Sequence, residues 1–576
     1  MFILPRPTRV PAAPDRGARP PARRWRRLPA ALAAVLLAAL LGTGLAQTRG
    51  GTATVLLPED IPTLNPYLST ALITSQVAPA IVEPLLTVNP AGEYVPVMAA
   101  RVPTPENGDV SPDGLRVTWT LKPGLTWSDG VAVTADDVVF TYEAATQGAN
   151  SVRGGLFAKV VSVTAVDDST AVVEFSEFDS SYLDLFQYGI LPRHATGELA
   201  DMSSWAFNRD PVGTGPFVLG EWRAGDRIIM ERNERYRDPA KPYLDRLVYM
   251  VVPSEETRVA MMVRGDAERM LWPGANQRDA LQASGNVDYV LVPSIYILRM
   301  FLNLGERGNP VIGQAPHPIL GDLRVRQALA YAIDYDSIID GLAEGRVQRA
   351  NSPFELGWYT CEVDGYDYDP DRAAQLLDEA GWVMGSGGVR VAKGAKYAAD
   401  GTRLSLDVMG YTDFRLLEQT ELVIADMYKS VGVELNVRNV EQSVLFGGWA
   451  DGAARKTGDF DILMYDTGAG INPQAHVYDL LASSRIPTEE NGGVGGNYSR
   501  WSNPQVDAWL DEAGSSPSLT VRKADYCNVA EAINEELPQI YLYQFADGSA
   551  LSVRLKGVNA NTWAGISWDV ADWYLE

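Results

Sequence analysis

The sequence predicts an α/β fold, and three stretches carry the prediction. Residues 404–437 read as strand, helix and strand: Leu404, Leu406 and Val408 alternate, Ile424, Met427, Tyr428 and Val431 keep helical spacing, and Val433, Leu435 and Val437 alternate again. Gly432 stands where a helix end favours a left-handed residue, and such a unit implies parallel strands joined by a right-handed crossover. Thr52–Leu57 is a nearly continuous apolar run stopped by Pro58, the pattern of a buried strand. Between Asp322 and Asp334, apolar residues at 325, 328, 329, 332 and 333 mark one helical face turned to a core. Arg324 and Arg326 fall off that stripe and are expected in solvent or at a lobe interface.

The remaining elements follow from local signals. The turn-rich run Pro62–Tyr67 after the first strand is a candidate pocket wall, because ligands of open α/β sheets lie beyond the carboxyl ends of strands. Ser111-Pro112-Asp113-Gly114 is a turn, followed by the alternating Leu115–Leu121. Thr134 and Asp137 have capping-box spacing at the start of a helix, and Asp136 and Asp137 suit its positive end, so both acids read as structural. Gly385–Gly388 and Gly492–Gly496 read as surface loops.

Charge and export narrow the function classes. Arg23, Arg24, Arg26 and Arg27 precede the apolar segment Ala30–Leu41, which is shorter than a membrane span and ends in Gly44-Leu45-Ala46. That is the pattern of a secretory signal peptide over residues 1–46, with a basic region of ordinary secretory type preferred to a twin-arginine signal. No cysteine follows the apolar run, so a free protein without a lipid anchor is expected. Loss of residues 1–46 removes eight arginines and one aspartate, taking the formal charge from −24 to −31. Phosphate backbones and anionic lipid repel such a chain, which argues against nucleic acid or membrane as its main partner. Cys361 and Cys527 are the two cysteines; export would let them bridge, and two buried thiols are the alternative.

Common catalytic patterns are absent from the sequence. His194, His317 and His476 are scattered, and there is no HExxH, CxxC, GxSxG or GxxxxGK[ST]. Nothing in the chain asks for a cofactor. Asp364, Asp367, Asp369 and Asp371 imitate the start of a calcium loop, but Arg372 stands where the loop needs glycine and Asp378 where it needs glutamate. Asp369 instead suits the cap of a helix opening on Pro370 and ending at Gly381.

Ordered motifs run along nearly the whole chain after the export segment. They include Leu64-Asn65-Pro66-Tyr67, Trp127-Ser128-Asp129-Gly130, Ala135-Asp136-Asp137-Val138, Gly213-Thr214-Gly215-Pro216-Phe217, Arg324-Val325-Arg326-Gln327-Ala328-Leu329, Asp459-Phe460-Asp461 and Glu536-Leu537-Pro538. Together they resemble the family 5 extracellular solute-binding proteins of ABC importers, the oligopeptide, dipeptide and nickel-binding group. The resemblance implies a two-lobed periplasmic-binding-protein type II fold with an extra subdomain inserted in the first lobe. Residues 47–290 would form lobe I, rejoined by 545–576, and residues 291–544 lobe II. The chain would be a periplasmic or otherwise extracytoplasmic monomer without enzymatic activity, delivering a small solute to membrane permease subunits. A secreted hydrolase is the alternative of another class, and a sensor of the same fold shares every signal.

The resemblance also sets expectations for the site. In peptide-binding relatives an aspartate shortly before an acidic-Pro step pairs with the peptide α-ammonium group. Aligned on Pro473, that position is Ala469; Asp466 is the nearest carboxylate, with Tyr465, Thr467 and Asn472 beside it as candidate contacts. Asn65 is a candidate from the first-lobe loop. Trp272, Trp358 and Trp449 are candidate aromatic platforms that would suit an oligosaccharide, and Trp563 and Trp568 also lie outside the quoted motifs. The resemblance implies a peptide-like solute, the commonest ligand of that family, with an oligosaccharide as the alternative, while three histidines are few for nickel or haem.

Overall fold

The computed structural model describes residues 49–309 and 315–576. The expected signal peptide over residues 1–46 lies outside them. Thr52–Leu57 forms a strand with parallel neighbours on both sides, Arg246–Val251 and Arg269–Met270. Ala53, Val55 and Leu57 enter one apolar core and Leu56 the opposite one, which is why the run shows little alternation. In the second lobe, Ser405–Met409 pairs in parallel with Glu434–Val437 across the helix Arg415–Ser430. Gly432 between them has φ +85°, as that turn requires.

Among the described residues, eleven strands join in one sheet, and two long ones tie it together. Val287–Leu302 and Gln539–Ser552 run antiparallel. Their outer halves, Val287–Pro293 against Ser552–Ala546, lie beside the first-lobe strand Arg269–Met270. Their inner halves, Ile297–Phe301 against Gln544–Gln539, lie beside the second-lobe strand Ile462–Gly468. The ladder shifts register between Pro293 and Ile297, so three residues on one strand face Phe545 alone on the other. Proline has no N–H to give a ladder, and a bulge there bends and twists the strands.

The inserted subdomain comprises the antiparallel strands Arg116–Thr120, Thr170–Phe175 and Val160–Asp167 with the helix Ala135–Gln147. Asp137 accepts from the Thr134 backbone N–H (3.0 Å), as a capping box requires, and also from Trp127 Nε1 (3.3 Å) and the Arg193 N–H (3.0 Å). Asp369 caps the helix Pro370–Glu379 by accepting from the Arg372 N–H at 2.8 Å.

Two local expectations are corrected. Arg326 is buried, not solvated: it donates to the carbonyls of Leu320 (2.7 Å) and Glu536 (2.6 Å). Glu536 ends the helix Leu519–Glu536, whose last carbonyls have no partner within the helix, and the guanidinium fills that need. The glycine run at 492–496 is partly buried, because it is packed: a Cβ on Gly495 would come within 2.0 Å of the Arg485 carbonyl.

Cys361 and Cys527 are joined by a disulfide with a Cα–Cα distance of 5.2 Å. It ties the segment after Tyr359 to the helix Leu519–Glu536. Intact mass without reductant should equal that of the fully oxidised chain. Replacing both cysteines by alanine should lower stability by roughly 2–4 kcal/mol in denaturant unfolding, given the long closed loop. Two alkylatable thiols in the native protein would refute the bridge.

Candidate functional site

The strand Ile462–Gly468 distributes its side chains to two environments. Tyr465 is buried, stacked on Phe301 with ring centres 4.7 Å apart and edge-on to Phe446 at 5.3 Å, so it serves the core. Thr467 shares that face: its hydroxyl meets His476 Nε2 at 2.6 Å and its carbonyl accepts from Arg299 Nη2 at 2.8 Å. Burial, then the nearby Arg299 charge, push His476 down to a pKa of about 3, so its ring is neutral. Asp466 points to the other face and accepts from Tyr411 Oη at 2.8 Å. Tyr411 stacks on Phe414, which meets Phe545 at the register break.

The loop after this strand crosses toward the first lobe, and aromatic groups hold it in place. Trp358 Nε1 donates to the Ile471 carbonyl at 2.8 Å, and Tyr359 Oη to the Gly470 carbonyl at 2.9 Å. Asn472 accepts from Arg522 Nη2 (2.7 Å) and donates to Ser180 Oγ of the inserted subdomain (3.2 Å). Arg522 also donates to the Ser180 carbonyl at 2.9 Å. The backbones of Gly92 and Gly357 approach so closely that a Cβ on Gly92 would lie 2.2 Å from the Gly357 Cα.

A cavity of about 450 Å³ opens where these segments meet, within the size range of small-molecule sites. Its walls are the helix Leu72–Val77, the hairpin around Tyr94, the segment Leu183–Tyr188 and the tail Thr562–Asp572; Ile471 enters from the second lobe. At one part of the wall Glu83 accepts from Thr214 Oγ1 (3.0 Å) and pairs with Arg237, and Lys241 pairs with Asp572. Asp184 accepts from Tyr94 Oη at 2.8 Å. Burial pushes Asp184 up to a pKa of about 6, against the Tyr94 hydrogen bond and the Arg522 charge, which favour its ionised form.

None of the eight expected site residues lines this cavity. Tyr465, Asp466, Thr467, Asn472 and Trp358 gather on or beside the crossing loop, and Ile471 among them reaches the cavity. Asn65 is fully buried, donating to Asn208 Oδ1 (2.9 Å) and accepting from the Tyr67 N–H (3.0 Å). Trp272 is exposed just past the strand Arg269–Met270, and Trp449 packs against Gly493. Trp563 and Trp568 do line the cavity, as do Tyr94, Asp184 and Tyr188, which sequence reasoning passed over. An acid within the apolar Tyr182-Leu183-Asp184-Leu185-Phe186 was the available signal, since a carboxylate in such a run is either buried or at a site.

Comparison with known proteins defines the class: residues 93–488 match the model of bacterial extracellular solute-binding proteins, family 5 (middle). This chain belongs to that family. The oligopeptide-binding protein AppA of Bacillus subtilis is 26% identical over 472 residues, 80% of this chain and 81% of its own length. A putative ABC transporter peptide-binding protein of Brucella ovis is 26% identical over 75% and 76% of the two chains. The heme-binding protein A of Haemophilus influenzae is 26% identical over 78% and 80%. Among solved structures, HbpA2 of Haemophilus parasuis aligns with a TM-score of 0.74 at 19% identity, covering 91% of this chain and 100% of the other. The murein-tripeptide-binding protein MppA, in an unliganded open form, aligns with a TM-score of 0.74 at 21% identity, covering 92% and 98%. These two share the two-lobed fold. Among the described residues, no helix is long and apolar enough to cross a membrane, and no group of His, Cys, Asp and Glu is arranged to hold a metal ion.

One buried acid on the second-lobe side sets a pH dependence. Glu421 is fully buried; Asn439 Nδ2 donates to one oxygen at 2.6 Å, the other has no hydrogen-bond partner, and burial pushes its pKa from 4.5 up to about 7. At this position the folded chain keeps a proton that the unfolded chain releases, so the contribution of Glu421 to stability falls as pH rises from about 4.5 to about 7. Glu421→Gln should raise unfolding free energy at pH 8 by about 1–3 kcal/mol, seen as a higher melting temperature, and leave both nearly unchanged at pH 4.5. Equal effects at both pH values would contradict a raised pKa.

Proposed function

We propose that this chain is the extracytoplasmic receptor of an ABC importer, capturing a peptide-like solute between its lobes and handing it unchanged to the membrane permease. The observation that carries this reading is the crossing loop: Ile471, on a second-lobe segment, helps line a cavity whose other walls belong to the first lobe and the tail. A solute there touches both lobes, so its binding free energy differs between open and closed arrangements, which is the condition for a population shift. Relatives named for oligopeptide binding and for an ABC transporter support the peptide class.

In this reading residues 47–290 with 545–576 move as one body against 291–544. Residues 1–46 direct export, the mature protein is a free monomer without lipid anchor or cofactor, and no bond of the solute changes. Haem or nickel held through histidine fits poorly: His194 pairs with Asp129, His317 with Asp461 and His476 with Thr467, and none lines the cavity. The cavity tryptophans Trp563 and Trp568 make an oligosaccharide panel the natural counter-test.

Thermal unfolding of the mature protein with a peptide pool and with a glucan and mannan panel tests the solute class. Peptides should raise stability by about 2.7 kcal/mol at a hundredfold excess over Kd. A shift with glycans alone would overturn the peptide reading, and turnover of either panel would overturn the non-enzymatic one.

A further inference from the structure

Capture of a cationic group needs a carboxylate that faces the cavity and is not already neutralised. Asp466 accepts from Tyr411 and is not part of the cavity wall; Ala469 in the crossing loop carries no charge. Of the cavity acids, Glu83 is paired with Arg237 and Asp572 with Lys241, while Asp569 accepts from the Asn559 N–H and Trp573 Nε1. Asp184 differs: it is buried at the wall and bonded to the neutral Tyr94 hydroxyl, and it makes no ion pair among the described residues. Asp179 in its own segment adds negative charge. Arg522, across the lobe contact, offsets part of the field but spends hydrogen bonds on Ser180 and Asn472.

We propose that Asp184 of the inserted subdomain holds the α-ammonium group of the solute, with Tyr94 fixing the carboxylate and the Trp563 face nearby. This rests on the peptide reading above. A buried carboxylate without a cation is costly, and an ammonium group that replaces water there gains a charge-assisted hydrogen bond. The burial that raises the pKa of Asp184 is the same unmet demand for positive charge.

The test titrates a pool of lysine- and arginine-free tripeptides to pentapeptides, with free or acetylated amino termini, into wild type, Asp184→Asn and Asp466→Asn. Wild type should prefer the free pool by roughly tenfold or more, and Asp184→Asn should lose that preference. Equal binding of both pools by wild type, a preference that survives Asp184→Asn, or its loss in Asp466→Asn alone would overturn the clamp while leaving peptide capture intact. Binding of neither pool would sink the peptide reading and the clamp with it. A crystal structure of wild type with free trialanine gives a readout independent of variant folding. The peptide nitrogen should lie within about 3.2 Å of an Asp184 oxygen, and an ammonium group placed elsewhere overturns the proposal.

Discussion

The broken ladder between Val287–Leu302 and Gln539–Ser552 is the constraint on which the rest of the structure depends. Both strands run through the middle of the one eleven-stranded sheet, with Arg269–Met270 beside one half and Ile462–Gly468 beside the other, and pairing is interrupted between the halves. Pro293 cannot donate there, and Phe545 faces three residues instead of one. Thr562 donates to the Pro293 carbonyl, which fastens the tail, and with it a cavity wall, to the same break. The contacts across this junction are both polar, Arg522 and Asn472 on Ser180, and aromatic, Tyr359 edge-on to Trp563 with ring centres 6.3 Å apart.

Electrostatics follow a second division. The chain carries a formal charge of −24, yet buried acids such as Glu421 and Asp184 resist ionisation because water is excluded from them. A high total negative charge disfavours polyanionic partners, whereas the environment of each buried carboxylate sets its own protonation. Total charge and pocket charge therefore answer different questions.

Much of the fold was legible because its signals are local. The strand–helix–strand unit at 404–437, the caps at Asp137 and Asp369 and the left-handed Gly432 each depend on residues within a few positions of one another. Arg326 was not legible, since periodicity shows which face of a helix is apolar but not that a distant helix end covers the other. The site was less legible still. Its cavity is assembled from the first helix, a hairpin, the segment at 183–188, the crossing loop and the tail, which are far apart in sequence. Trp358 was singled out only as a candidate aromatic platform; it pins the backbone of the crossing loop, while Trp563 and Trp568 line the cavity. Nothing local distinguishes those roles. The family resemblance drew attention to the crossing loop, but the charge it led one to seek there is absent at Ala469.

Small-angle scattering of the mature protein, free and at a peptide concentration that saturates its thermal shift, most directly measures whether a solute draws the lobes together about the broken ladder. A smaller radius of gyration and maximum dimension in the saturated sample is the expected result. An unchanged radius at saturation would contradict capture by lobe closure.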